Sequence, residues 1–139
     1  MAPVKARREL RVESIAEPIS HYTDAVVYGD LVYVSGCVGS DRSGQILAPD
    51  DVAAQARLAL ENIGTILAAA GTGFENILKV TVFVTDVADR EPINVVRKEF
   101  FGESRPASTL VQVASLALPD AKVEIEAVAC VPSPDVEAS

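Results

Sequence analysis

The chain has 139 residues, 49% hydrophobic and 23% charged, with no tryptophan. That length suits one domain around one core, and the composition excludes disorder of the whole chain. A formal net charge of -8, with Lys5, Arg7 and Arg8 as the only basic cluster, makes nucleic acid a poor partner, because a phosphate backbone would meet net repulsion.

Residues 1–9 read as a loose arm, and Leu10 to Ile15 alternates like a short strand. Pro18 turns the chain into a loop carrying His21 and Tyr22. Ala25 to Tyr28 and Leu31 to Ser35 are β-branched runs joined by Gly29-Asp30, a two-residue hairpin signal. Gly36, Gly39 and Gly44 predict a loop after Ser35. Apolar residues from Val52 to Ala70 fall at helical spacing, with Asp50 or Asp51 as cap and Gly71 at the left-handed end. Gly64 within this helix costs about 1 kcal/mol relative to Ala, and close packing against a sheet would account for it.

Ile77 to Thr85 alternates as a strand, and a second helix starts near Asp89, with Pro92 in its first turn, and ends near Gly102. Thr109 to Ala114 and Lys122 to Val131 read as the last two strands, and the tail from Pro132 as frayed. The order β-ββ-α-β-α-ββ gives a single α+β domain over 1–139. Two helices cannot cover both faces of so many strands, so the other face calls for a second copy of the chain.

Glu124 and Glu126 lie two apart on one strand and share a face. That face is either solvated, the commoner case, or covered by another subunit. If covered, it would hold a desolvated carboxylate able to move protons. His21 is the only histidine, an ordinary polar residue or a proton carrier beside a pocket. Tyr22 either plugs the end of the core or faces a ligand. Ser35 ends a strand but has no G-x-S-x-G elbow, and no basic residue adjoins Cys37 to lower its pKa. Asn94 is either an exposed amide or a hydrogen-bonding side chain toward a loop or subunit. Gly71-Thr72-Gly73 lacks the P-loop lysine.

Cys37 and Cys130 form neither a CxxC pair nor a metal-ligand spacing, so free thiols in a reducing cytosol are expected and no metal site is. Residues 1–10 carry no apolar signal-peptide core, and no apolar run is long enough to span a bilayer. A cytoplasmic protein without membrane partners is the expectation.

Four stretches, in this order and spacing, carry a resemblance to a known family. They are 19–26 (ISHYTDAV), 31–36 (LVYVSG), 80–86 (VTVFVTD), and 106–113 (PASTLVQV) leading to 123–129 (VEIEAVA). From about Pro18 to Val131 the chain resembles the Rid/YjgF family of enamine/imine deaminases. The resemblance implies a chorismate-mutase-like α+β fold, with a mixed six-stranded sheet and two helices on one face. It also implies a homotrimer whose sheets form a central barrel, with pockets between subunits and no metal or organic cofactor. Family members hydrolyse reactive enamines or imines to keto acids and ammonia.

By this match Tyr22, Ser35, Gly36, Asn94 and Glu124 take pocket-forming positions, with Glu124 handling the water and His21 a candidate acid or base. The chain also departs from the pattern. Ser108 stands where deaminating members carry an arginine that clamps the substrate carboxylate, and Arg105 lies three residues earlier. His21 replaces a usual proline, Cys37 a common glutamine, and the loop from Leu116 to Ala121 is one residue longer. Ser108, Arg105 and Cys37 therefore join the candidate substrate-binding residues, and a shifted substrate preference is expected. The alternatives are a non-catalytic small-ligand-binding or regulatory trimer, and an RNA-cleaving member, against which the acidic charge argues.

Overall fold

The computed structural model describes residues 5–133; the first four residues of the expected arm and residues 134–139 of the expected tail lie outside the described residues. Six strands, β1 (Arg8–Leu10), β2 (Ala25–Tyr28), β3 (Leu31–Val38), β4 (Ile77–Val84), β5 (Ala107–Gln112) and β6 (Val123–Cys130), form one sheet in the order β1-β2-β3-β6-β4-β5. Among the described strands only the β4–β5 pair is parallel. The chain crosses between those two strands through helix α2 (Arg90–Phe101), since parallel neighbours cannot be joined by a tight turn. Gly29, at φ 61, is the first residue of the β2–β3 turn, the position at which a type II′ hairpin requires a positive φ.

Helix α1 (Val52–Ala69) begins where the Asp51 carboxylate accepts the Ala54 amide at 3.0 Å. It ends where Gly71 takes φ 85 and Thr72 returns its amide to the Leu67 carbonyl at 2.9 Å. Its apolar stripe of Ala56, Ala59, Leu60, Ile63, Ile66 and Leu67 is fully buried. Against it lie Val32 and Val34 of β3, Val80, Val82 and Val84 of β4, and Val123, Ile125, Ala127 and Ala129 of β6. Helix α2 adds Ile93, Val96 and Phe101 to the same core. Both helices therefore cover one face of the sheet, as expected.

The alternation that buries those residues sends Val26, Tyr28, Tyr33, Thr81, Phe83, Thr109, Val111, Glu124, Glu126 and Val128 to the other face. Tyr28 and Tyr33 are 47% and 50% exposed there. The open face thus carries aromatic rings as well as small apolar residues.

Several boundaries move for identifiable reasons. The strand expected over Leu10 to Ile15 is Arg8–Leu10 instead, so Arg8 and Glu9 belong to the sheet and not to an arm. Beyond Leu10 the ladder stops because the Val12 amide donates to the Asp24 carboxylate at 2.8 Å and the Ile15 amide to the Val12 carbonyl at 3.0 Å. Strand β3 does not end at Ser35 but runs to Val38 through a bulge. Strand β5 begins at Ala107, because its parallel register with β4 starts at Lys79, and ends at Gln112. Gly64 faces the Phe74 ring and not the sheet: a Cβ at that position would lie 2.9 Å from Phe74 Cε2.

Candidate active site

The candidate residues fall into two clefts. The first, of about 450 Å³, is lined by Tyr22, Ser35, Gly36, Cys37, Glu124 and Glu126 among others. The second, of about 770 Å³, is lined by Asn94, Arg97, Arg105 and Ser108 among others. His21 is exposed and is not among the residues lining either cleft, although its neighbour Tyr22 is.

The first cleft is made by the bulge in β3. Val34 pairs with Ala127 and Cys37 with Ile125, so β3 fits one extra residue into this interval. Gly36 sits at the bulge because a Cβ there would lie 2.8 Å from Glu124 Oε2. The missing side chain lets the Glu124 carboxylate lie against the β3 backbone. There it is half-buried, and its pKa is raised, first by burial and then by the charge of Glu126. A carboxylate in this state exchanges a proton closer to neutrality than an ordinary glutamate does.

Ser35 donates its amide to the Asp24 carbonyl at 2.9 Å and its hydroxyl to the Thr23 carbonyl at 2.5 Å. Its proton is committed to a carbonyl, so Ser35 is a positioning group and not an activated nucleophile. The buried Cys37 thiol is pushed up to about 12, by burial first and then by the charges of Asp24 and Glu124. It is a neutral thiol at physiological pH, the reverse of a reactive cysteine. The Tyr22 hydroxyl accepts the Ile19 amide at 3.4 Å and closes the loop over this cleft.

The second cleft is built by α2 and β5. Ser108 pairs with Val80, whose side chain is buried under the helices, while Glu124 pairs with Phe83 on the open face. The register therefore places Ser108 and Glu124 on opposite faces of one sheet. Asn94 and Arg97 lie three residues apart on α2 and line the same cleft. Arg97 Nη2 donates to Ser108 Oγ at 3.0 Å, and its guanidinium carbon lies 6.0 Å from the centre of the Phe101 ring. Arg105 is exposed on the loop that borders this cleft.

A model of the family described as Endoribonuclease L-PSP matches residues 13–131. The chain belongs to the Rid/YjgF family. The RutC family protein UK114 of Drosophila melanogaster is 41% identical over 123 residues, 88% of each chain. A Bos taurus protein named 2-iminobutanoate/2-iminopropanoate deaminase is 43% identical over 111 residues, 80% of each chain. The crystal structure of Escherichia coli TdcF with bound serine superposes at a TM-score of 0.81 with 40% identity, covering 88% of this chain and 98% of that one. The fold is accordingly the chorismate-mutase-like α+β fold of the Rid/YjgF family, and no helix among the described residues is long and apolar enough to cross a membrane.

Sequence reasoning missed three residues around the clefts of this Rid/YjgF chain. Asp24 is buried and holds Arg11 Nη1 at 2.7 Å, which fixes the segment leading into the Tyr22 loop. Gln55 is fully buried: its amide nitrogen donates to the Ala48 and Asp120 carbonyls, and its oxygen accepts the Lys122 amide. It thereby ties the 116–121 loop to α1. Arg97 is the third, and its spacing from Asn94 on one helix face was the available signal. Among the described residues no group of three His, Cys, Asp or Glu is arranged to hold a metal.

Proposed function

We propose that the chain is a cofactor-independent hydrolase of reactive enamines and imines, releasing ammonia, and that it works as a cytoplasmic homotrimer. Relatives named 2-iminobutanoate/2-iminopropanoate deaminase support the reaction class. The observation that carries the reading is the half-buried Glu124 carboxylate, raised in pKa, lying across the Gly36 bulge in a cleft large enough for a small keto acid.

The chemistry is water addition to a C=N bond. An enamine first takes a proton at carbon and gives one up from nitrogen to become the imine. Glu124 accepts a proton from water as its oxygen bonds to the imine carbon and passes that proton to the nitrogen, giving a neutral carbinolamine and a free carboxylate. Glu124 then shuttles a proton from the carbinolamine hydroxyl to the nitrogen, the C–N bond breaks, and a ketone and ammonia leave. Ser35 and the amides of the bulge orient the polar atoms of the substrate.

Because Glu124 and the Asn94–Ser108 cluster occupy opposite faces of one sheet, the working site joins the first cleft of one copy to the second cleft of another. Ser108, standing where the family resemblance implies an arginine, shifts the substrate preference. Ammonia release from imines generated in situ is the test. Turnover by the wild type and its loss in Glu124→Gln is the expected result. A metabolite that raises thermal stability without being consumed, with no turnover of any imine, would favour a binding module instead.

A further inference from the structure

The second cleft holds an arginine whose surroundings leave its charge unanswered. Arg97 is half-buried, and among the described residues no carboxylate lies within ion-pair distance of it. Burial lowers its pKa, and no neighbouring negative charge opposes that shift. Other arginines of the chain are answered: Arg57 pairs with Glu99 at 2.5 Å and Arg11 with Asp24 at 2.7 Å. Desolvating a cation without a partner is costly, and the cost is recovered when an anion binds.

The cleft itself favours an anion. Lys98 and Arg105 border it together with Arg97, against the single carboxylate of Glu103, in a protein whose net charge is -8. Arg97 is also held in place. The Ser108 hydroxyl accepts one of its five N–H groups, and the Phe101 ring lies beside the guanidinium. The other N–H groups stay available as a planar fork, the geometry that matches a carboxylate.

We propose that Arg97 anchors the carboxylate of the substrate, with Ser108 positioning its guanidinium and the Asn94 amide one helical turn away completing the site. This deepens the hydrolase reading and rests on it. The anchoring cation comes from α2 and not from β5, so the substrate remains acidic, and the changed origin of its clamp is what shifts the preference among acidic imines. Ser108 is then a support for the anchor and not a gap left by a missing one.

Pyruvate, the product expected from 2-iminopropanoate, serves as the probe, with binding measured by calorimetry and turnover by ammonia release. Arg97→Met should weaken pyruvate binding roughly tenfold to a hundredfold, the usual weight of a charge-assisted pair. It should raise KM for acidic imines while sparing uncharged ones. Arg97→Lys keeps the charge but loses the fork, and should fall between. Arg57→Met, which removes a surface cation elsewhere, should bind as the wild type does. The double variant Arg97→Met with Ser108→Arg restores a fork from the strand and should recover binding, which a merely misfolded single variant would not.

Unchanged pyruvate binding in Arg97→Met overturns the proposal, as does binding lost in Arg105→Met and kept in Arg97→Met. Pyruvate binding that depends on Arg97 without turnover of any imine leaves the anchor standing and removes the hydrolase reading. Imine turnover indifferent to Arg97 does the reverse.

Discussion

Glu124 shares its face of β6 with Glu126 and is half out of water, so it holds its proton to a higher pH than an ordinary glutamate. A carboxyl whose pKa is raised on folding favours the folded state below its ordinary value, and that benefit is lost as pH rises through the raised one. Glu124→Gln should therefore be more stable than the wild type at pH 8. The two should converge below about pH 4, where unfolded and folded carboxyls are both protonated. Thermal unfolding across this range checks it, and an equal gap at both ends would contradict the assignment. With Glu124 as the base, the same group gives the wild-type kcat/KM an acid limb.

Asp24 is the opposite kind of residue: buried, and satisfied by Arg11 Nη1 and the Val12 amide. Asp24→Ala takes the buried carboxylate from Arg11, leaving it the exposed Glu17 at 3.4 Å, and strands the Val12 amide; it should cost about 3 kcal/mol in urea denaturation. A loss below about 0.5 kcal/mol would place the pair among ordinary surface contacts.

At the scale of elements, helix α1 shows why a local preference is not the whole account. Replacing Gly64 with Ala gains about 1 kcal/mol of helix propensity in an exposed helix. Here the new methyl would press on Phe74, whose ring is held between Phe100 and Phe101 with centroids 5.4 Å from each. Gly64→Ala should therefore show no net stabilisation, and a full gain in the melting midpoint would mean that Phe74 moves freely.

Both helices, the hairpin and the central strands were legible in the sequence because periodicity and caps are local signals, as with Asp51 and Gly71. The bulge at Ser35–Gly36 was not, since a glycine after a strand reads equally as a loop. What decides between them is a carboxylate on β6, almost ninety residues away in sequence. Strand β1 was misplaced for a similar reason: Asp24 takes the Val12 amide that a longer strand would have used.

For the molecule as a whole, the pocket positions implied by the family resemblance divide between the two faces of the sheet. Glu124 is found on the open face and Ser108 on the helix side, a division set by strand register that only the paired sheet displays. The open face, with Tyr28, Tyr33 and Val111 exposed, is where copies are expected to associate. The central consequence of this division is a working site shared between copies.

Mixing two impaired variants addresses this most directly. Glu124→Gln and Arg97→Met, each purified and assayed on an acidic imine at a concentration well below KM, where both fall far short of the wild type, then unfolded and refolded together in equal amounts, should regain about a quarter of the wild-type ammonia release. In random assemblies one site in four draws an intact Glu124 from one copy and an intact Arg97 from another. No activity in the mixture, with assembly verified by sedimentation, would contradict a shared site.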